Sequence, residues 1–303
     1  MTTIQNQNFG IEIELTGISR ADAANIIAAY FGTESFFLGT YYDTYGAKDT
    51  KGRTWKCMSD SSIRVESKND RFYAPRSFQC EVVSPILQYE DINDLQEIVR
   101  KLRAAGAIAN DSCGIHVHVD GANHTPDSLV RLMNMTVGRQ DIIYEALQIG
   151  NRANRWCKKI SRDLLAAMKS DTTRSKASIE RIWYSDANDH YEGGIDHQHY
   201  NSTRYHGVNL HAFFTKGTVE FRLFNGTTHA GKIKAYIQFC LAMSAWAINA
   251  KDSYSFRSMD GRDKATAFHD FLTRRLKLKG KEFATCRLHL MAAFETPADA
   301  EIA

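Results

Sequence analysis

Phe9-Gly10-Ile11-Glu12-Ile13-Glu14-Leu15 alternates strictly. Phe9, Ile11, Ile13 and Leu15 fall on one side of an extended strand, and Glu12 and Glu14 on the other. At about 3.3 Å rise per residue the two carboxylates stand roughly 6.6 Å apart on one face. Taken alone, the segment is a strand with one wet face, as antiparallel sheets commonly have. Two later stretches repeat the pattern with other ligand-type residues. In Ser112–Asp120, Ile115, Val117 and Val119 oppose His116, His118 and Asp120. Two imidazoles at i and i+2 on a β-branched strand carry weight, because imidazole is the commonest protein metal ligand. In Thr218–Phe224, Val219, Phe221 and Leu223 oppose Glu220 and Arg222. A fourth strand, Phe78–Val83, ends at Ser84-Pro85 and carries Glu81 inside an apolar run, where an acid is uncommon.

If these strands share a sheet, helices can cover the apolar face. The opposite face then gathers four carboxylates, two imidazoles and a guanidinium. Such charges repel and resist dehydration, and bound cations are the natural compensation. Carboxylates with imidazole suit Mg²⁺ or Mn²⁺ better than structural zinc. Metal ions beside a fixed arginine form the electrostatic clamp that phosphoryl transfer needs. The bland alternative is a set of unrelated wet surfaces, and the threefold recurrence of one pattern counts against it.

The rest of the 303 residues sets the frame. Hydrophobic residues make up 43% and charged residues 24%, an ordinary globular composition. A net charge of +3 does not imply a general nucleic-acid-binding role. Six cysteines without C-x-x-C spacing read as thiols in a reducing compartment. Met1–Asn8 lacks the apolar core of a signal peptide. The most apolar helix candidate, 233–250, contains Lys234, Gln238 and Asn249, so it reads as a buried helix and not a membrane span. A cytoplasmic protein without membrane association is expected.

Ser19-Arg20-Ala21-Asp22 opens a helix that Gly32 stops. Asp91 is expected to cap a second helix bearing Leu95, Ile98, Val99 and Leu102, and Thr125-Pro126 opens a long third one. Residues 33–80 read as short strands and turns, with Thr54–Met58 a strand, Asp60 and Ser62 at a turn, and Ser67–Ser77 a loop. The run Arg152, Arg155, Lys158, Lys159 and Arg162 is expected to be helical, and it hints at an acidic substrate. His197 and His199 read as surface histidines. Gly207–Phe214 is expected to form a hairpin with Thr218–Phe224 through Lys216-Gly217. Helices and a polar tail follow from His229. The organisation expected is one domain over 1–303, with a helical and loop insertion at 151–205 and a helical C-terminal part at 229–303.

These stretches, in this order, resemble the amidoligases, carboxylate–amine ligases related to glutamine synthetase and glutamate–cysteine ligase. The resemblance lies in Phe9–Glu14, Asp60–Ile63, Glu81–Pro85, Cys113–His118, Asn209 and Glu220–Arg222, and spans about Phe9 to Trp246. It implies an α+β fold: a curved, mainly antiparallel sheet with helices on one face, as in the catalytic domain of glutamine synthetase. It implies ATP-dependent amide-bond formation through an acyl phosphate, with ATP and Mg²⁺ (or Mn²⁺) bound. By position it makes Glu12, Glu14, Glu81, His116 and Glu220 metal ligands. It places His118 near the nucleotide phosphates or the substrate and Arg222 on the transferring phosphoryl group. Asn209 and Asp60 become substrate-binding candidates. The partners expected are a small-molecule or peptide carboxylate and an amine. The rivals are a metal-dependent hydrolase, either phosphoesterase or nuclease, and an inactive binding module of the same fold.

Overall fold

The computed structural model describes residues 1–68, 74–188, 194–251 and 263–294. The middle of the expected loop at Ser67–Ser77, parts of the insertion and the C-terminal part, and the end of the polar tail lie outside these residues. The elements run β1 (Phe9–Leu15), α1 (Arg20–Phe31), β2 (Ser35–Phe37), β3 (Tyr45–Lys48), β4 (Thr54–Met58), β5 (Cys80–Val83), α2 (Ile92–Ala104), β6 (Gly114–Asp120) and α3 (Pro126–Ala146). They continue with α4 (Arg162–Ser170), α5 (Lys176–Trp183), β7 (Val208–Asn209), α6 (His211–Lys216), β8 (Thr218–Asn225), α7 (Ala230–Asn249), α8 (Lys264–Asp270) and α9 (Ala284–Met291). The fold is α+β, with an open eight-stranded sheet ordered β2-β3-β4-β5-β1-β6-β8-β7. The β1–β5, β2–β3, β3–β4, β4–β5 and β7–β8 pairs are antiparallel.

The chain forms two compact units. The first comprises Asn8–Val117 and Phe224–Ile237; the second comprises Met1–Gln7, His118–Leu223 and Gln238–Ala303. The strands β6 and β8 and the helix α7 each pass from one unit to the other.

In the first unit the alternation of β1 is realised. Phe9, Ile11, Ile13 and Leu15 are buried, and α1 packs on β3, β4, β5 and α2. Each large aliphatic side chain so buried contributes about 1.5–3 kcal/mol. Ser19 caps α1 by accepting from the Asp22 N–H, and Gly32 ends it at φ 68°, the left-handed conformation glycine adopts without strain. Asp91 departs from its expected role, because its side chain makes no capping bond to α2. Its carboxylate accepts from the Gln88 N–H at 2.8 Å, from Arg53 at 2.8 and 3.0 Å, and from Lys51 at 2.9 Å. Arg53 also binds Asp49 at 2.7 Å, so the β3–β4 turn is pinned to the start of α2. Ion pairing won over capping here because the β3–β4 turn brings two cations to a buried carboxylate.

In the second unit, α3 packs on α4 and α8, and α4 packs on α5. Thr125 caps α3 through the Ser128 N–H, with Pro126 at its first position. Met1–Gln7 is tied down by Gln7, which donates to the Leu241 carbonyl and accepts from Ser244 at 2.6 Å. Ser244 contacts His124 Nε2 at 3.0 Å. Burial and then the Arg131 charge pull the His124 pKa down to about 4, so this core imidazole is neutral.

Two local expectations are corrected in this unit. The hairpin arm Gly207–Phe214 is extended only at Val208–Asn209. The Asn209 Oδ1 accepts from the His211 N–H at 2.8 Å and starts α6, which ends at Gly217 with φ 75°. The basic run is not one helix. Gly150–Asn154 is a 3₁₀ turn, Lys158 bridges to His206, and α4 begins at Arg162 behind the Ser161 cap. No helix among the described residues is long and apolar enough to cross a membrane. The six cysteines are buried and form no disulfide.

Asp91 gives the first test. Burial alone would raise its pKa, but the Arg53, Gln88 and Lys51 hydrogen bonds outweigh it and hold the carboxyl well below the usual range. The contribution is therefore complete above the unfolded carboxyl pKa and lost as pH falls below about 4. Asp91→Asn should cost about 2–4 kcal/mol in urea unfolding at pH 7, and less as the pH approaches 3. An unchanged midpoint at pH 7 contradicts this account.

Candidate functional site

The first unit collects four of the residues singled out in the sequence. In the antiparallel register of β1 and β5, Glu14 stands directly opposite Glu81. Like charges in that position destabilise a sheet. On β6, His116 places Nδ1 at 3.0 Å from Glu12 Oε2 and Nε2 at 3.8 Å from Glu14 Oε1. The Gly114 N–H donates to Glu14 Oε2 at 2.6 Å and fixes that carboxylate. One donor atom from each of Glu14, Glu81 and His116 lies within 4.8 Å of the others. Glu14 and His116 are buried, while Glu12 and Glu81 are half-buried. The two carboxylates and one imidazole of Glu14, Glu81 and His116 could hold a divalent cation with oxygen preference.

The second unit collects the remaining strand residues. Glu220 Oε1 receives Arg222 Nη1 at 2.7 Å, and Oε2 receives Asn209 Nδ2 at 2.6 Å. All three side chains are buried, with Asn209 at 0% exposure. His118 Nδ1 contacts Thr218 Oγ1 at 2.9 Å, and its Nε2 lies 3.8 Å from Glu220 Oε1. The Arg222 Nε points at the Trp156 carbonyl at 3.4 Å, and its guanidinium lies 5.8 Å from the Tyr205 ring centre. Asn209 therefore holds Glu220 with its amide nitrogen and the first turn of α6 with its oxygen. Asp60 stands apart at a turn in the first unit, where its carboxylate accepts from the Ser62 N–H at 2.7 Å.

Beside Asn209 and Glu220 lies a cavity of about 170 Å³, lined also by His197, His199, Arg204, His211, Ala212, Thr215 and Lys216. His211 Nδ1 pairs with the Tyr184 hydroxyl at 2.6 Å. Burial, and then the nearby Arg204 charge, lower the His211 pKa to about 4, while burial raises that of Tyr184. The pair is thus a neutral imidazole and a protonated phenol at pH 7. Sequence reasoning missed this pair. Asn209 and His211 are two apart, but the expected hairpin hid the turn that brings Tyr184 to them.

The family model described as "putative amidoligase enzyme" matches residues 5–244. The chain belongs to that amidoligase family, and this supports an amide-forming ligase. No curated protein is significantly similar to it.

Asn209→Asp should set a second buried carboxylate against Glu220. It should lower stability by about 3–5 kcal/mol at pH 7.5, the scale for an uncompensated buried charge. Part should return at pH 5.5, where the pair can share a proton. Thermal unfolding at both pH values checks this, and a pH-independent loss contradicts it.

Proposed function

We propose that the protein is an ATP-dependent carboxylate–amine ligase working through an acyl phosphate. The observation that carries this reading is the convergence of Glu12, Glu14, Glu81 and His116 in a chain of the amidoligase family. Glu14, Glu81 and His116 would hold a divalent cation, with Glu12 at the other imidazole nitrogen orienting the ring. A cation bound there would neutralise triphosphate charge and orient the γ-phosphate.

A substrate carboxylate oxygen attacks the γ-phosphorus, forming one P–O bond while the bond to the β-phosphate oxygen breaks and ADP leaves. The amine nitrogen then attacks the acyl carbon and loses a proton, and inorganic phosphate departs. Arg222 meets the charge on the transferring group. Its guanidinium is oriented in advance by Glu220 and the Trp156 carbonyl, so little ordering remains at the moment of reaction. An arginine in this role can be worth about 10³–10⁵ in rate. His118, held by Thr218, offers a further hydrogen-bonding group to the phosphates or substrate. Asn209 positions Glu220 and thereby Arg222. Asp60 keeps a role at the substrate only if its turn is reached by a longer substrate.

ADP release should require Mg²⁺ and both a carboxylate and an amine substrate. Glu14→Gln and Glu81→Gln should abolish it. Arg222→Lys keeps a positive charge beside Glu220 but loses the planar fork, and should slow turnover by at least about 10³. A coupled ADP assay over a panel of acids and amines, with folding checked by circular dichroism, reads all three. Turnover of phosphoesters without ATP would point to the hydrolase reading instead.

A further inference from the structure

The sheet face that carries the acidic cluster continues well beyond it within the first unit. The strand registers align one row across five strands. Glu12 on β1 stands opposite Val83 on β5, Val83 opposite Lys56 on β4, Lys56 opposite Gly46 on β3, and Gly46 opposite Phe36 on β2. Directly opposed residues share a face, so all five lie on the side of Glu14 and Glu81. Trp55, one residue before Lys56, lies on the other side, with its ring 6.2 Å from that of Phe31 in α1. Gly46 leaves a gap in the row, and the Phe36 ring fills it. A Cβ at Gly46 would come within 2.7 Å of two Phe36 ring carbons and 3.3 Å of the Leu38 Cδ1. The ring therefore rests on the sheet over β3, and Phe36 is half-buried. Leu38 is 40% exposed, and Lys56 is exposed. Met58, opposite Glu81, is half-buried. At about 4.8 Å between strands, the ring lies roughly 10 Å from β5 and 14 Å from β1.

We propose that this row seats the far end of the acid substrate, an aromatic group that stacks on Phe36 while the reacting carboxylate reaches the cluster of Glu14, Glu81 and His116. The ring and the cluster lie in line on one face, so a single extended molecule can touch both. Lys56 stands between them, where its ammonium can donate to a carbonyl of the linking chain. The same ammonium disfavours a second ammonium on the row, so the occupant is the acid and not the amine. Between Lys56 and the acids lie Val83 and Met58, apolar side chains that offer a phosphate no hydrogen bond. An uncharged, peptide-like linker suits that stretch better than the phosphate chain of a nucleotide. The assignment rests on the ligase reading only in calling the bound acid a substrate.

The test uses the whole chain, Mg²⁺ and defined probes. Benzoyl-glycyl-glycine holds a phenyl ring about 10 Å from its carboxylate, since each extended residue spans about 3.3–3.6 Å. Calorimetric titration of the wild-type protein should show it binding, with acetyl-glycyl-glycine, which lacks the ring, at least about tenfold weaker. Phe36→Leu keeps an apolar side chain but loses the flat ring. It should weaken the benzoyl peptide by about twofold to tenfold and leave the acetyl peptide unchanged. Lys56→Gln, at an exposed position, should weaken both peptides by about tenfold. No binding of the benzoyl peptide to the wild type, or equal binding of the two peptides, overturns the proposal. So does undiminished binding of the benzoyl peptide by both variants. A Phe36→Leu protein that loses affinity for Mg–ATP and keeps it for the benzoyl peptide also overturns it, and gives the ring to the nucleotide base. Mg–ATP binding is measured on the same wild-type sample. Benzoyl-peptide binding without Mg–ATP binding supports the aromatic seat and overturns the ligase reading; Mg–ATP binding without benzoyl-peptide binding does the reverse.

Discussion

Glu14 faces Glu81 across two antiparallel strands, with His116 beside them, and like charges in that position strain the sheet. Within 4.8 Å and at an effective dielectric near 20, two ionised carboxylates repel by at least about 3 kcal/mol. A domain whose whole stability is on the order of 5–15 kcal/mol does not keep such a cost on a core strand without a compensating use. The apolar side of the same strand shows how the placement is held. Ile11 and Ile13 are locked into the core, so neither acid can turn away without slipping the register and exposing both isoleucines. The hydrophobic face fixes the polar one.

The second unit solves a related problem differently. Glu220 and Arg222 occupy a strand whose interior positions are all buried, so both charges must be satisfied from within. Each is the other's partner, and Asn209 completes the carboxylate. A buried pair of this kind is weak evidence of stability in itself. What it supplies is a guanidinium of fixed direction, which an exposed arginine on a flexible stem lacks. Asn209 does two jobs with one amide, because its oxygen also starts α6 and so sets one wall of the neighbouring cavity.

Much of this was legible in the sequence, for a physical reason. Period-2 alternation puts every second residue on one face, so Glu12, Glu14, His116, His118, Glu220 and Arg222 could be read as face-sharing sets without coordinates. The Ser19 and Thr125 caps were legible because their signals are local. What failed was non-local or competitive. Asp91 looked like a cap, but Lys51 and Arg53, some forty residues earlier, claim its carboxylate. Residues 210–214 looked like a strand because their apolar residues suit either state, and the Asn209 bond to the His211 N–H decided for helix. His197 and His199 are surface histidines as read, yet they stand at the mouth of a cavity that no local pattern announces.

The central claim is that the facing carboxylates of β1 and β5, with His116, bind a divalent cation. Titrating Mn²⁺ into the metal-stripped protein, followed by electron paramagnetic resonance of the unbound ion, measures this directly. The account predicts saturable binding by the wild type, competed by Mg²⁺, and its loss in the Glu14→Gln/Glu81→Gln double variant. Equal Mn²⁺ binding by the two proteins would contradict it.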